Sequence, residues 1–241
     1  NYKSSLQNDL SGLTRDTGLK LKLYAIYNDG NIDRAIELNT SLQDCACCGA
    51  YVASGVWKAF MCHNLGADQT AYPFTPSAEI HGAKYKWGVK TVALTQAEDQ
   101  SNSSSVTNWT TITPPPTTSD NWDMTTANPC PDGWRVPTIE EWAAVINTSN
   151  NAITYVGTNW TSGSGNYTTG MKVGDALFLP AAGYRSTSNG TLNLRGEYGR
   201  YWSSTAYSIS EGYNLNFYDG GQHAEAHVSR LYGYPVRCIS E

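Results

Sequence analysis

The sequence has little charge. Only 15% of its 241 residues are Asp, Glu, Lys or Arg, against roughly a quarter in an average globular chain. Lys and Arg number 16 against 21 acids, for a net charge of −5, so the basic surplus of a nucleic-acid binder is missing. No run approaches 18 apolar residues, which predicts no transmembrane helix. Phe is scarce at 4, and 22 Gly with 10 Pro stay near average shares, which excludes collagen-like and low-complexity chains. What fills the space is 16 Tyr and 8 Trp, set among many Ser, Thr and Asn. Such residues build adaptable binding surfaces, and they also suit exposed β-structure. A hydrophobic content of 40% and this length suffice for a real core.

The chain opens on Asn1 rather than Met, which reads as a processed or truncated chain whose export signal is gone. Cys45, Cys47, Cys48, Cys62, Cys130 and Cys238 are six in number. An even set suits an exported, disulfide-bonded protein, with buried reduced thiols as the alternative. The residues do not choose among the pairings. A zinc site from Cys45, Cys47 and Cys48 with Cys62 or His63 lacks the paired C-x₂-C spacing of structural zinc knuckles.

Leu19 to Tyr24 alternates with period two, Asn28-Asp29-Gly30 signals a turn, and Ile32 to Leu38 returns as a second strand. Residues 1–44 therefore read as a β-hairpin arm or the tail of an upstream β domain, and 45–241 as one α+β unit. In that unit Val56 to Met61 predicts a strand, and the polar stretch 98–121 predicts a long, mobile surface loop. Thr138-Ile139-Glu140-Glu141 is a capping box. It opens a helix over about 138–147, with Ile139, Trp142, Ala143 and Ile146 on one apolar face. Short strands follow at Ala176–Leu179, Arg200–Ser204 and Tyr213–Tyr218, with an Asp219-Gly220-Gly221 hairpin turn.

The candidate chemistry is thin. His223, Glu225 and His227 alternate along a strand and would share one face. They lack the H-E-x-x-H helical arrangement and read as a solvated polar face ahead of a weak metal site. Ser203 and Ser204 sit in no G-x-S-x-G elbow. Gly163-Ser164-Gly165 has no following Lys-Ser/Thr for phosphate. Glu140 and Glu141 point about 100° apart on a helix, so they cannot flank one glycosidic bond. No nucleophile, base and oxyanion donor assemble, and the residues call for no enzyme activity and no cofactor. Asn108-Trp109-Thr110 and Asn159-Trp160-Thr161 are glycosylation sequons in a competent host.

Several blocks together resemble the Fibrobacter succinogenes major paralogous domain, in its gut Bacteroides and phage form. They are Cys48–Val52, Trp57–Asp68, Cys130–Thr138 with Glu141-Trp142, Leu179–Arg185, Gly199–Ala206 and Val236–Ile239. The resemblance spans 45–241 and implies a C-type-lectin-like fold of small mixed or antiparallel sheets with long loops. It also implies a secreted or surface location, sometimes behind immunoglobulin-like domains, and a Cys130–Cys238 disulfide. The calcium-lectin segments Glu-Pro-Asn and Trp-Asn-Asp are absent, as is the cysteine pair of formylglycine-generating enzymes.

The C-terminal stretch further resembles the variable region of proteins diversified by retroelements. The implied frame is Tyr201–Ser204, Leu215, Phe217, Arg230, Gly233 and Val236–Cys238. The implied ligand-binding positions are Tyr207, Ile209, Glu211, Asn214, Asn216, Tyr218, His223, Glu225, His227, Ser229, Leu231 and Tyr232. The expectation is a non-enzymatic binding module for a protein or glycan on another cell surface. A structural tip or cap of a surface fibre is the alternative, and an unrecognised hydrolase ranks below both.

Overall fold

The structure, a computed structural model, describes residues 18–28, 33–43 and 48–241. The chain divides into two units, Asn1–Cys47 and Cys48–Glu241. In the first, β1 (Gly18–Asn28) pairs antiparallel with β2 (Asp33–Gln43), placing Leu23 opposite Leu38. The second strand runs further than the Ile32–Leu38 expected. The expected turn at Asp29-Gly30 lies outside the described residues, as do Cys45 and Cys47.

The second unit is α+β, built from small antiparallel sheets and two short helices. β3 (Gly49–Ala53) and β4 (Val56–Ala59) form a hairpin. Helix α1 (Gln96–Ser101) follows a long irregular segment. β5 (Trp134–Arg135) leads into helix α2 (Ile139–Val145). β6 (Ile153–Val156), β7 (Gly170–Val173) and β8 (Leu177–Pro180) make one three-stranded sheet. β9 (Tyr184–Arg185) pairs with β10 (Leu192–Asn193). β11 (Gly199–Ala206), β12 (Glu211–Tyr218) and β13 (Gly221–Ser229) make a second three-stranded sheet. β14 (Ile239–Ser240) returns to pair with β5.

The capping box forms as the sequence predicts. Thr138 Oγ1 accepts from Glu141 N at 3.2 Å, and Glu141 Oε2 accepts from Thr138 N at 2.9 Å. Each box of this kind satisfies two of the free amides at a helix start. Arg135 then grips both Glu141 oxygens, at 2.7 and 2.6 Å. Helix α2 is shorter than expected, ending at Val145 with Ile146 as its cap. Its buried face is Ile139, Trp142 and Val145. Ala143, expected on that face, is exposed.

Two hydrophobic clusters lie on opposite faces of the β11–β13 sheet. One joins Trp142, Leu179, Tyr201, Leu215 and Phe217, with α2 packed upon it. The other joins Trp87, Trp122, Trp202, Tyr234 and Val236. Burying one such side chain contributes roughly 1.5–3 kcal/mol, but an indole must also satisfy its N–H. Here Trp87 donates to Ser203 O at 2.8 Å, Trp142 to Trp202 O at 3.2 Å and Trp202 to Tyr85 O at 2.8 Å. Between Trp202 and Ala206 the ladder is irregular. That irregularity frees the Ser203 carbonyl for Trp87 and the Ser204 carbonyl for the Trp122 amide at 2.8 Å.

Disulfides join Cys48 to Cys62 and Cys130 to Cys238, the second being the pair the resemblance implies. The first uses two of the four cysteines whose pairing the residues left open. It corrects the zinc reading, because Cys48 and Cys62 have no thiolate to offer a metal.

The deepest polar feature is a knot around Asp99. Its carboxylate lies 2.7 Å from Arg185 Nε, 2.5 Å from Arg195 Nη2 and 3.1 Å from Lys84 Nζ, all buried. Burial alone would raise the Asp99 carboxyl. The charges of Lys84, Arg195 and Arg185 outweigh it and hold the group at about 2. Burial pulls Lys84 down to about 8, against the opposing pull of Asp99. Asp99 belongs to α1, at the start of the segment 98–121 expected as a surface loop. Trp109 of that segment is core, and Lys86 bonds the Ile112 carbonyl at 2.6 Å.

Candidate functional site

The region expected to carry ligand contacts spans the end of β11 through β13. Its geometry turns on one bulge. Tyr213 pairs with His227 and Asn214 with Ala226, yet Asn216 pairs with His223. A single residue of β12, Leu215, therefore faces two of β13, Ala224 and Glu225. Cross-strand partners share a face, and Tyr213 and Asn216, three apart on β12, lie on opposite faces. His227 thus belongs to the α2 side of the sheet and His223 to the other. The expectation that His223, Glu225 and His227 share one face is corrected by this bulge. Among the described residues no group of three or more His, Cys, Asp or Glu is placed to hold a metal.

On the α2 side the strands and the helix enclose an open cleft of about 430 Å³. Ile139, Glu140 and Ala143 line it from the helix, and Thr205, Tyr207, Tyr213, Glu225 and His227 from the sheet. Tyr207, 49% exposed, stacks on the His227 ring at 3.6 Å and meets Tyr213 edge-on at 5.4 Å and 87°. His227 Nδ1 lies 3.3 Å from Glu211 Oε2. The loop after Tyr207 is closed on itself, with the Tyr207 and Ser208 amides both donating to Glu211 O at 3.1 Å. That closure holds Ile209 out at its tip, 61% exposed.

The opposite side of the sheet carries a second group. Tyr218 lies 5.3 Å from Tyr198 and 6.0 Å from His223. Arg200, in register with Asn216, sits over the rings of Tyr184 and Tyr198 at 4.9 and 5.5 Å. Tyr232 meets Tyr184 edge-on at 5.4 Å. Ser229 and Leu231 are half-buried near the end of β13.

Asn214 is a correction. It is fully buried and donates Nδ2 to Ala226 O at 2.8 Å, so it braces the hairpin rather than facing a ligand. Its place in the pattern of alternation gave no warning, since Trp202, its partner across β11, carries the side of the sheet that the second core covers. Sequence reading also missed Thr205, Tyr213, Ile139, Glu140 and Ala143, which complete the cleft. Tyr213 alternates with Leu215 and Phe217 and so reads as core. The cleft edge of α2 is visible only once the helix is docked.

The residues considered for catalysis have other work. Ser203 Oγ accepts from Thr205 N at 3.0 Å, and Ser204 Oγ donates to Pro137 O at 3.2 Å, both serines buried. Of the strongly perturbed groups, Lys84 and Asp99 are enclosed in the arginine knot, burial draws Lys86 down to about 8, and burial raises Tyr85, Tyr201 and Tyr234; none of them lines the cleft. Burial likewise pushes His81 well below the usual histidine range, reinforced by Lys84 and Arg195.

The fold and this surface define a disulfide-stapled α+β domain with a polar, aromatic C-terminal sheet. The Fibrobacter succinogenes major domain matches residues 57–240, and the chain belongs to that family. Searches of curated proteins and of solved structures give no match.

Proposed function

We propose that the chain is a non-enzymatic, secreted or surface-exposed ligand-binding module, presenting its β11–β13 sheet to a protein or glycan on another cell. The scaffold reading is C-type-lectin-like. One observation carries the proposal: with Asn214 excepted, the frame positions are buried and the display positions are exposed or half-buried. Tyr201, Trp202, Leu215, Phe217, Val236 and Cys238 are fully buried, while Tyr207, Ile209, His223, Glu225 and His227 are exposed. A fixed frame under freely chosen exposed side chains is what a binding scaffold needs. It also suits diversification by a retroelement, with Asn214 moved from the display set to the frame. Location outside the cytosol is supported by the two disulfides. Among the described residues no helix is long and apolar enough to cross a membrane.

The test is a binding screen of the full chain on glycan arrays and on bacterial surface proteins, repeated with two paired variants. Tyr207→Ala/His227→Ala strips the α2 side, and Tyr218→Ala/Tyr232→Ala strips the other. At least one pair should weaken binding tenfold or more while leaving the melting temperature nearly unchanged. Full affinity in both variants would move the site off this sheet. For diversification, the neighbouring DNA should hold a reverse transcriptase gene and a near-identical repeat of the codons for about residues 200–238. A locus with neither removes that part of the proposal.

A further inference from the structure

Resting on that reading and going beyond it, we infer that the cleft between α2 and the sheet receives a cationic side chain, a lysine or arginine of a protein ligand. Three features converge there. The first is charge. Glu140 and Glu225, both exposed, line the cleft from opposite walls, and none of the lining residues is Lys or Arg. The basic residue that does line the cleft, His227, has its Nδ1 3.3 Å from Glu211 Oε2, while Arg135 holds both oxygens of Glu141 and Lys58 lies 3.5 Å from the same carboxylate.

The second feature is the aromatic geometry. Tyr207 and Tyr213 stand at 87° to one another with ring centroids 5.4 Å apart. With one face of Tyr207 covered by His227 and Tyr213 set edge-on to both rings, the 49% exposure of Tyr207 leaves its other π-face to a guest. Cations are drawn to the π-face of Tyr by its quadrupole, more strongly than neutral groups of equal size. His227, stacked flat on Tyr207 at 3.6 Å, holds that ring in place from one side.

The third feature is the apolar surface of the cleft. Ile139 and Ala143 contribute aliphatic surface, which suits the methylene stem of a long cationic side chain with its charged head at the carboxylates. A metal ion fits less well. The cleft presents carboxylates beside tyrosine rings and a helix face, and no metal-holding group of His, Cys, Asp or Glu occurs among the described residues. An acidic ligand would meet like charge from both walls.

The experiment uses the full chain and three small probes: N-acetyl-lysine methylamide, N-acetyl-arginine methylamide and the neutral N-acetyl-norleucine methylamide. Binding is followed through NMR shifts of Tyr207, Tyr213 and Ala143. The two cationic probes should give saturable shifts at these residues, and norleucine much smaller ones at equal concentration. Glu140→Gln/Glu225→Gln should weaken the cationic probes tenfold or more while preserving the dispersed spectrum of the fold. Equal shifts from norleucine, or unchanged affinity in the charge variant, would overturn the inference by showing an apolar groove. If the screened ligand still depends on Tyr207 and His227 while no cationic probe binds, the cation pocket fails and the binding module stands. If the probes bind but neither paired variant affects the screened ligand, the sheet fails as that ligand's site.

Discussion

The Asp99 knot and the α2 cleft both bring carboxylates together with aromatic rings, but one is sealed and the other open. In the knot three cations close on one carboxylate, and Arg195 also lies over the Tyr167 ring at 5.0 Å. In the cleft two carboxylates and two tyrosines have no cation of the chain among them. The difference separates what a charge is for. A buried ion group holds only while it is complete, because removing one partner strands the others without water. An exposed group is nearly free of structural duty, so its residues can serve a partner.

The contrast can be broken at several points. The largest effect should follow loss of the Cys130–Cys238 bridge, whose partners are 108 residues apart in sequence. Closing so long a loop restricts the unfolded chain by about 4–5 kcal/mol in the entropy model. Reduction should therefore strip a large part of the thermal stability, and an unchanged melting temperature in reductant would refute this. Asp99→Asn comes next. It leaves Lys84, Arg185 and Arg195 buried without their shared anion, a loss of about 3–5 kcal/mol by analogy with broken buried ion pairs. Denaturant unfolding would measure it.

The knot also predicts a pH profile. Asp99 titrates lower in the folded chain, at about 2, so its contribution is complete above its ordinary range near pH 4. It is lost as the pH falls from there through 2. Lys84 is held at about 8, below its ordinary value, so the unfolded chain binds more protons between about pH 8 and 10. The Lys84 contribution to stability should rise with pH across that window. Above it the buried Tyr85, pushed up to about 12 by desolvation, works in the opposite direction. Lys86, which burial also draws down to about 8, adds to the same limb, so a Lys84→Met variant should flatten the rising limb without removing it. The smallest structural effect belongs to the cleft: Glu225→Gln should change stability by no more than about 0.5 kcal/mol, as surface substitutions do, while weakening binding of a cationic probe.

Much of the scaffold was legible in the residues. The capping box named the start of α2 because its two hydrogen bonds are local. The alternation of Tyr213, Leu215 and Phe217 named β12 for the same reason. The arginines were harder to read. Arg185, Arg195, Arg230 and Arg237 are all buried, which composition argues against. Their partners are mostly backbone carbonyls far away in sequence, as when Arg237 Nη1 donates to Cys62 O at 2.9 Å. The polar and aromatic residues of β12 and β13 were legible by type but not by side. Which face a residue takes depends on register, and the bulge opposite Leu215 shifts register by one, moving His223 away from His227.

Arg230 adds a consequence for evolvability. Its guanidinium bonds the carbonyls of Pro116, Thr118 and Ser208 at 2.9, 2.8 and 2.6 Å, and it lies over the Trp87 ring at 3.8 Å. A carbonyl oxygen is common to every amino acid. The clamp therefore grips the 208–211 loop through its backbone, and together with the Ser208 hydroxyl, which accepts from the Ser210 and Glu211 amides at 3.3 and 3.1 Å, it lets the loop keep one shape while the side chain at Ile209 changes.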